Sequence, residues 1–226
     1  MLAIKANSIE RVQRVTNKET ATAFKEWAVV CEALGKGQQS IIFRKGGIHE
    51  GKRGFQFKHD QFFLFPTRFH EQEQNVKLGS LNENLLPSEY DLGEKVEIQF
   101  FCKIQSIKIL DDWDIIKALE AFHIWNDSTI KERYEWSMSG EEEPFISLAI
   151  LRVYKLGEVI EFPYEKKYGG CRSWLQIPEI REYDFELFEP VIADQEFDKL
   201  LLQINQIIDA NSVSYTHLTL PTNREV

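Results

Sequence analysis

The sequence predicts a single α+β domain: a small mixed β-barrel or curved sheet, with helices packed outside it and an amphipathic helix at its C-terminal end. Three observations carry this. Helical and β-rich runs follow one another as α-β-β-β-β-α-α-β-β-α, without the regular βαβ alternation of a doubly wound sheet. The run Phe145–Leu156 is almost continuously apolar, as a strand covered on both faces must be. The aromatic complement of 16 Phe, 7 Tyr and 5 Trp exceeds what a simple helical bundle needs.

Each element has its own local reason. Ala23–Leu34 places Trp27, Val30, Cys31 and Leu34 at helical spacing and ends at Gly35 and Gly37, so a helix is expected there. Ser40–Arg44 reads as a short strand. Gly46–Gly54 carries four glycines and reads as a loop. Phe62–Phe65 is a compact apolar strand stopped by Pro66. Glu94–Phe100 alternates, with Val96, Ile98 and Phe100 expected on one side and charges opposite, and a further strand runs through Ile107 and Ile109. Asp111 or Asp112 caps a helix to about Phe122, with Trp113, Ile116 and Leu119 inward. Asp127 or Ser128 caps the next, through Ile130 and Tyr134. Trp174–Ile177 is a last short strand. Gln195–Asp209 places Phe197, Leu200, Leu201, Ile204 and Ile208 on one helical stripe.

Composition fits a soluble domain: 43% of residues are hydrophobic and 28% charged. No apolar run reaches bilayer-spanning length, and the charged start MLAIKANSIERVQRV lacks the apolar segment of a secretory signal. Cys31, Cys102 and Cys171 are odd in number and widely spaced, which suits a reducing cytoplasm. No repeat or linker divides the chain. Residues 1–22 are expected to form an N-terminal extension and 23–210 one domain. Residues 213–226 are expected to be a non-native tail: VSYTHLTLPTN back-translates to a string resembling the transposon-end adapter of short-read libraries.

Net charge is −9 but uneven. Between Lys36 and Lys58, six basic residues stand against Glu50 alone, so that segment is +5 and the remainder −14. This marks a possible anion-facing surface. The acidity of the rest argues against a protein that coats duplex DNA through its backbone.

Five strings occur in order: RKGGIHE (Arg44–Glu50), FLFPTRFHEQ (Phe63–Gln72), HIW (His123–Trp125), LRVYKL (Leu151–Leu156) and YGGCRSW (Tyr168–Trp174). Together they resemble the prokaryotic domain-of-unknown-function family eighteen-zero-two over about residues 23–178. A weaker resemblance is to ASCH domains, PUA-like barrels associated with RNA. ALGKGQQSIIFR (Ala33–Arg44) looks like their opening signature, and LGEKVEIQFF resembles an ASCH strand after its turn. It implies a PUA/ASCH-like barrel with a basic, glycine-rich insertion at about 45–92. The ASCH turn often has a Lys and a Thr where Gln38 or Gln39 and Ser40 stand here. Without that Lys, the resemblance does not carry over the amidohydrolase chemistry of some ASCH proteins.

Arg44-Lys45-Gly46-Gly47 sets two cations at a strand end beside glycines whose amides can turn outward together, an arrangement that binds phosphate or carboxylate. His49, Lys52, Arg53 and His59 lie close in sequence, and the expected nucleic-acid or anion site is Arg44, Lys45, Gly46, Gly47, His49, Arg53, His59, His70 and Trp174. In this scheme Arg44, Lys45 and Arg53 hold phosphate, His49 and His59 add polar contacts, and Trp125 or Trp174 stacks a base if exposed.

Other chemistries are thinner. His49, Glu50, His59 and His70 lack the spacing of a zinc motif, so no metal or cofactor is expected. Cys171 follows two glycines and has His70 or His123 as conceivable partners, with no third orienting group. Glu26, Glu32, Glu50 and Asp60 near Lys45 resemble the acid-acid-Lys set of restriction-type nucleases, but the acid-x-Lys triplet on a strand is missing. The reading is a nucleic-acid-binding module for RNA or a modified nucleotide. The alternatives are a metal-dependent nuclease or nucleotide hydrolase, and a non-catalytic structural partner protein. The sequence leaves open whether the protein is an enzyme, and no membrane partner is expected.

Overall fold

A mixed sheet follows from strands whose partners are far apart in sequence. The computed structural model describes residues 21–45, 55–68, 72–77, 89–136, 143–178 and 187–212. Among these, seven strands occur: β1 (Ala21–Trp27), β2 (Ile41–Arg44), β3 (Gln61–Thr67), β4 (Lys95–Leu110), β5 (Ile146–Pro163), β6 (Trp174–Ile177) and β7 (Glu189–Pro190). The helices are α1 (Ala28–Gly35), α2 (Trp113–Ala118), α3 (Asp127–Glu135) and α4 (Asp194–Ser212). Strand order is β2-β5-β4-β3-β1-β6, with β7 paired to β5 off this path. β1 and β3 are parallel and the other pairs antiparallel. The described ladder does not close on itself, so of the two expected forms the sheet holds and the closed barrel does not.

The expected elements are largely in place, with three corrections. Ala23–Trp27 is strand, and the helix begins only at Ala28. Phe24 and Glu26 are buried, and the segment is held between β3 (Ala23 opposite Phe63) and β6 (Ala23 opposite Leu175). These two distant partners outweigh a local helical spacing. Secondly, Pro66 lies inside β3 rather than ending it. Its missing N–H takes no bond from β4, which pairs only with Gln61–Phe63. Thirdly, Phe100 leaves the side of Val96 and Ile98. The register shifts between Ile98 and Phe100, and such a bulge exchanges the faces that follow it. Phe101 therefore joins Val96 and Ile98 in one core while Phe100 packs against the other.

The sheet is buried on both sides. One core joins Phe24, Phe43, Phe62 and the apolar half of β5 to α1, α2, α3 and α4. The other gathers Phe63, Phe65, Val96, Ile98, Phe162 and Tyr168. The four consecutive apolar residues Phe62–Phe65 serve both by alternation, each full burial contributing about 1.5–3 kcal/mol. β5 is internal as its composition requires, with β2 on one side and β4 on the other. α2 is capped by Asp112, whose carboxylate accepts from the Asp114 amide at 2.8 Å. α3 is preceded by Asn126, which makes no side-chain cap, so neither Asp127 nor Ser128 is its N-cap. Just past the end of α1, Gly37 has a φ of +69°, a left-handed conformation that a side chain would strain.

The segment 45–92 supplies β3, a central strand. Residues 1–20 and 213–226 lie outside the described residues, as do 46–54, 69–71 and 78–88. No helix of the described residues is long and apolar enough to cross a membrane.

Candidate functional site

The site begins where the sheet curls. β2 is the first strand in the order and β1 the fifth, yet the Arg44 guanidinium donates to the Lys25 carbonyl at 2.6 Å and to Glu26 Oε2 at 2.8 Å. A side chain thus bridges strands that the backbone ladder leaves apart. Glu26 is fully buried, and its other oxygen accepts from the Trp27 amide at 2.8 Å. A buried carboxylate needs such partners, because the desolvation of a lone charge costs several kcal/mol, roughly.

Arg44 also lies over the Phe24 ring, 4.7 Å from its centroid. Trp174 meets the same ring edge-on at 4.8 Å, and His59 lies against Trp174 at 4.9 Å. Arg44, Phe24, Trp174 and His59 therefore form one continuous patch, built from β2, β1, β6 and the approach to β3. Two donors in it, Arg44 Nε and Trp174 Nε1, are buried without a hydrogen-bond partner among the described residues.

Next to this patch stands Arg133, from the last turn of α3. Its guanidinium lies 4.7 Å from the Trp27 ring and 4.8 Å from the Trp125 ring, and Nη1 donates to the Phe43 carbonyl at 3.4 Å. Burial pulls its pKa down to about 10, a shift opposed by the Glu26 charge and reinforced by Arg44. His123 packs against Phe43 (5.4 Å) and Trp125 (5.6 Å). Burial, then the charges of Lys77 and Arg133, push its pKa down to about 3, so the imidazole is neutral at pH 7. His123 Nδ1 and Trp125 Nε1 are likewise buried without partners among the described residues.

Of the expected site residues, Arg44, His59 and Trp174 converge. Lys45 is pinned elsewhere, its ammonium 2.7 Å from the Phe145 carbonyl, 3.3 Å from the Tyr134 carbonyl and over the Phe145 ring. Gly46, Gly47, His49, Arg53 and His70 lie outside the described residues. Of the two residues bounding the basic segment, Lys45 is held away from the patch as described, and Phe55 is buried against Phe24 at 5.9 Å. Trp125 is fully buried and stacks on Arg133, so it offers no face to a base. Gln39 is structural: it donates to the Ile41 carbonyl and accepts from the Ile124 amide.

Sequence reasoning missed Phe24, Trp27 and Arg133. The first two sit in a stretch read as helix, and Arg133 looks like an ordinary polar residue of α3. His123 is enclosed by aromatics and no partner for Cys171, which is exposed and near Lys25. Glu26 binds Arg44 and Glu32 binds Lys36, and among the described residues no three His, Cys, Asp or Glu side chains group as metal ligands would. A separate groove of about 540 Å³ lies between α1 and β4, floored by Cys31, Leu64 and Phe100. Four of its charges pair with one another, Arg68 with Glu94 and Lys95 with Glu97, Glu32 pairs with Lys36, and it includes none of the expected site residues.

These features define an α+β protein whose curled sheet is pinned by a buried ion pair beside an aromatic and cationic patch. The chain belongs to the family described as "Domain of unknown function (DUF1802)", whose model matches residues 23–203. No curated protein matches it in sequence. Among solved structures it is similar to the ASCH protein of Zymomonas mobilis. A single-site mutant of that protein is 8% identical, with a TM-score of 0.41 over 80% of this chain and 94% of the other. The ASCH structure without that mutation is 10% identical, with a TM-score of 0.39 over 80% and 92%.

Proposed function

We propose that the protein binds single-stranded nucleic acid, RNA or a strand carrying a modified nucleotide, on the patch that Arg44, Trp174 and His59 form around the buried Phe24 ring. The observation that carries this reading is the shared contact of Arg44 and Trp174 with the Phe24 ring, which sets a cation beside a half-buried indole. Single strands are bound by cations that follow the backbone and aromatic faces that take the bases. Arg44 Nε and Trp174 Nε1, buried donors without a partner among the described residues, are groups that an acceptor reaching this corner would satisfy. In this scheme Gly46, Gly47, His49 and Arg53 of the basic segment, together with His70, add phosphate and polar contacts. The net charge of −9 confines the attraction to this region and disfavours coating of a duplex.

The test is retention of a short single-stranded RNA on the immobilised full chain across a salt series. Binding that weakens as salt rises, and that falls about tenfold or more in Trp174→Ala, supports the reading. Absence of binding at low salt, or Trp174→Ala binding as well as wild type, overturns it.

A further inference from the structure

We propose that Arg133 and Arg44, with Glu26 paired to Arg44, form a subsite for one internal phosphodiester of a bound strand, and that Glu26 selects it over a terminal phosphate. This rests on the nucleic-acid reading above and adds to it the group recognised and the residue that sets the choice.

The geometry comes first. Trp27 and Trp125 lie 4.7 and 4.8 Å from the Arg133 guanidinium, so the indoles occupy its faces and leave the N–H edge as its means of binding. A guanidinium edge presents parallel donors that match two oxygens of a phosphate. Among the described residues that edge makes a single hydrogen bond, the 3.4 Å contact to the Phe43 carbonyl. Phe43 directly precedes Arg44, so the two arginines share one corner of the fold, and both act electrostatically with Glu26. Trp125 and His123, 0% and 5% exposed, each keep a buried polar atom without a partner among the described residues beside this corner.

Charge then decides the ligand. Among the described residues whose charges act on Arg133, Arg44 adds a second guanidinium against the single carboxylate of Glu26, an excess of positive charge, and His123 is neutral. Lys45 spends its ammonium on the Phe145 and Tyr134 carbonyls. An uncompensated cation in a low-dielectric corner is costly, which is the sense of the depressed Arg133 pKa. A phosphodiester carries one negative charge and cancels the excess. A terminal phosphate carries about 1.5 to 2 negative charges at neutral pH and would leave the corner negative. Replacing Glu26 by a neutral isostere raises the corner to two positive charges and inverts that preference.

The experiment compares an oligouridine with and without a terminal phosphate on wild type, Glu26→Gln, Arg133→Gln and Arg133→Lys. Alongside it, dimethyl phosphate is titrated while tryptophan fluorescence is followed, since Trp27 and Trp125 flank Arg133. Wild type should bind both oligomers within about twofold, Glu26→Gln should favour the phosphorylated one by about fivefold or more, and Arg133→Gln should bind both about tenfold more weakly. Arg133→Lys keeps the charge without the fork and should fall between wild type and Arg133→Gln. If Glu26→Gln does not fold, the Arg133 pair and the wild-type comparison carry the test. Wild type preferring the terminal phosphate, or Arg133→Gln binding like wild type, overturns the subsite while leaving the nucleic-acid reading standing. Dimethyl phosphate that saturably perturbs the fluorescence of wild type but not of Arg133→Gln, with no oligomer bound, supports the subsite and sinks that reading. Silence in both assays overturns both.

Discussion

Arg44 Nη2 reaches Glu26 Oε2 at 2.8 Å across a sheet in which their strands are not neighbours. The arginine side chain is 20% exposed and the glutamate 0%, so the pair belongs to the interior although Arg44 ends a four-residue edge strand.

Arg44→Ala should therefore destabilise the fold by about 3–5 kcal/mol, because it strands a buried carboxylate. The double variant Arg44→Gln with Glu26→Gln should recover at least half of that loss. Urea denaturation measures both. An Arg44→Ala protein within about 1 kcal/mol of wild type would mean that the pair does not hold β2 against β1.

The sequence singled out Arg44 as a site candidate and gave no sign of its structural role. A cation at a strand end followed by glycines reads as a surface feature, and nothing local shows that β1 lies opposite. Trp174–Ile177 and the C-terminal helix were readable because their own periodicity decides them. β1 was not, since its strand character comes from β3 and β6. Arg133 escaped for a similar reason. Trp27, one of the two rings that give it meaning, is distant in sequence, and Trp125 lies just before α3 in a stretch with no helical spacing to link the two.

Acid should expose the buried His123. Its folded pKa, about 3, lies below the usual 6.5, so below pH 6.5 the unfolded chain takes up a proton that the folded one refuses. The stability it contributes is present above pH 6.5 and is lost as pH falls toward 3, by roughly 2 kcal/mol at pH 5. Comparing wild type with His123→Gln by denaturation at pH 7.5 and 5 checks this. The variant should show a shallower acid dependence, and identical slopes would contradict it.

Gly35 is required for space rather than for its backbone angle. A Cβ there would meet the Phe100 ring at 2.0 Å. Gly35→Ala should cost about 1–3 kcal/mol through overpacking, and Phe100→Leu in the same chain should return part of it. Thermal melts of the single and double variants are sufficient, and a neutral Gly35→Ala would show that the ring can turn aside freely.

Arg152 and Asp194 should respond unequally. The Arg152 side chain is 6% exposed, donates to the Ile192 carbonyl and lies 4.6 Å over Phe197, whereas Asp194 is 89% exposed. Asp194→Asn should shift stability by less than about 1 kcal/mol. Arg152→Ala should cost about 2–3 kcal/mol, since it removes packing and leaves a carbonyl without its donor. Equal losses in urea denaturation would place the energy in the ion pair instead.

The position of β1 also governs how the chain reaches this structure. Ala21 pairs with Ile177 and Ala23 with Phe63, so the first described strand waits for nearly the last one before both its edges are filled. Contacts of such high sequence separation slow folding, because the loop entropy is lost before the pairing repays it. On a ribosome, β1 would emerge long before β6 and would keep an open edge while more than half of the domain is still being made. The interval is when this protein is most exposed to wrong pairing, and Lys25, whose ammonium finally binds the Tyr168 and Gly170 carbonyls, is the charge that guards the strand until then.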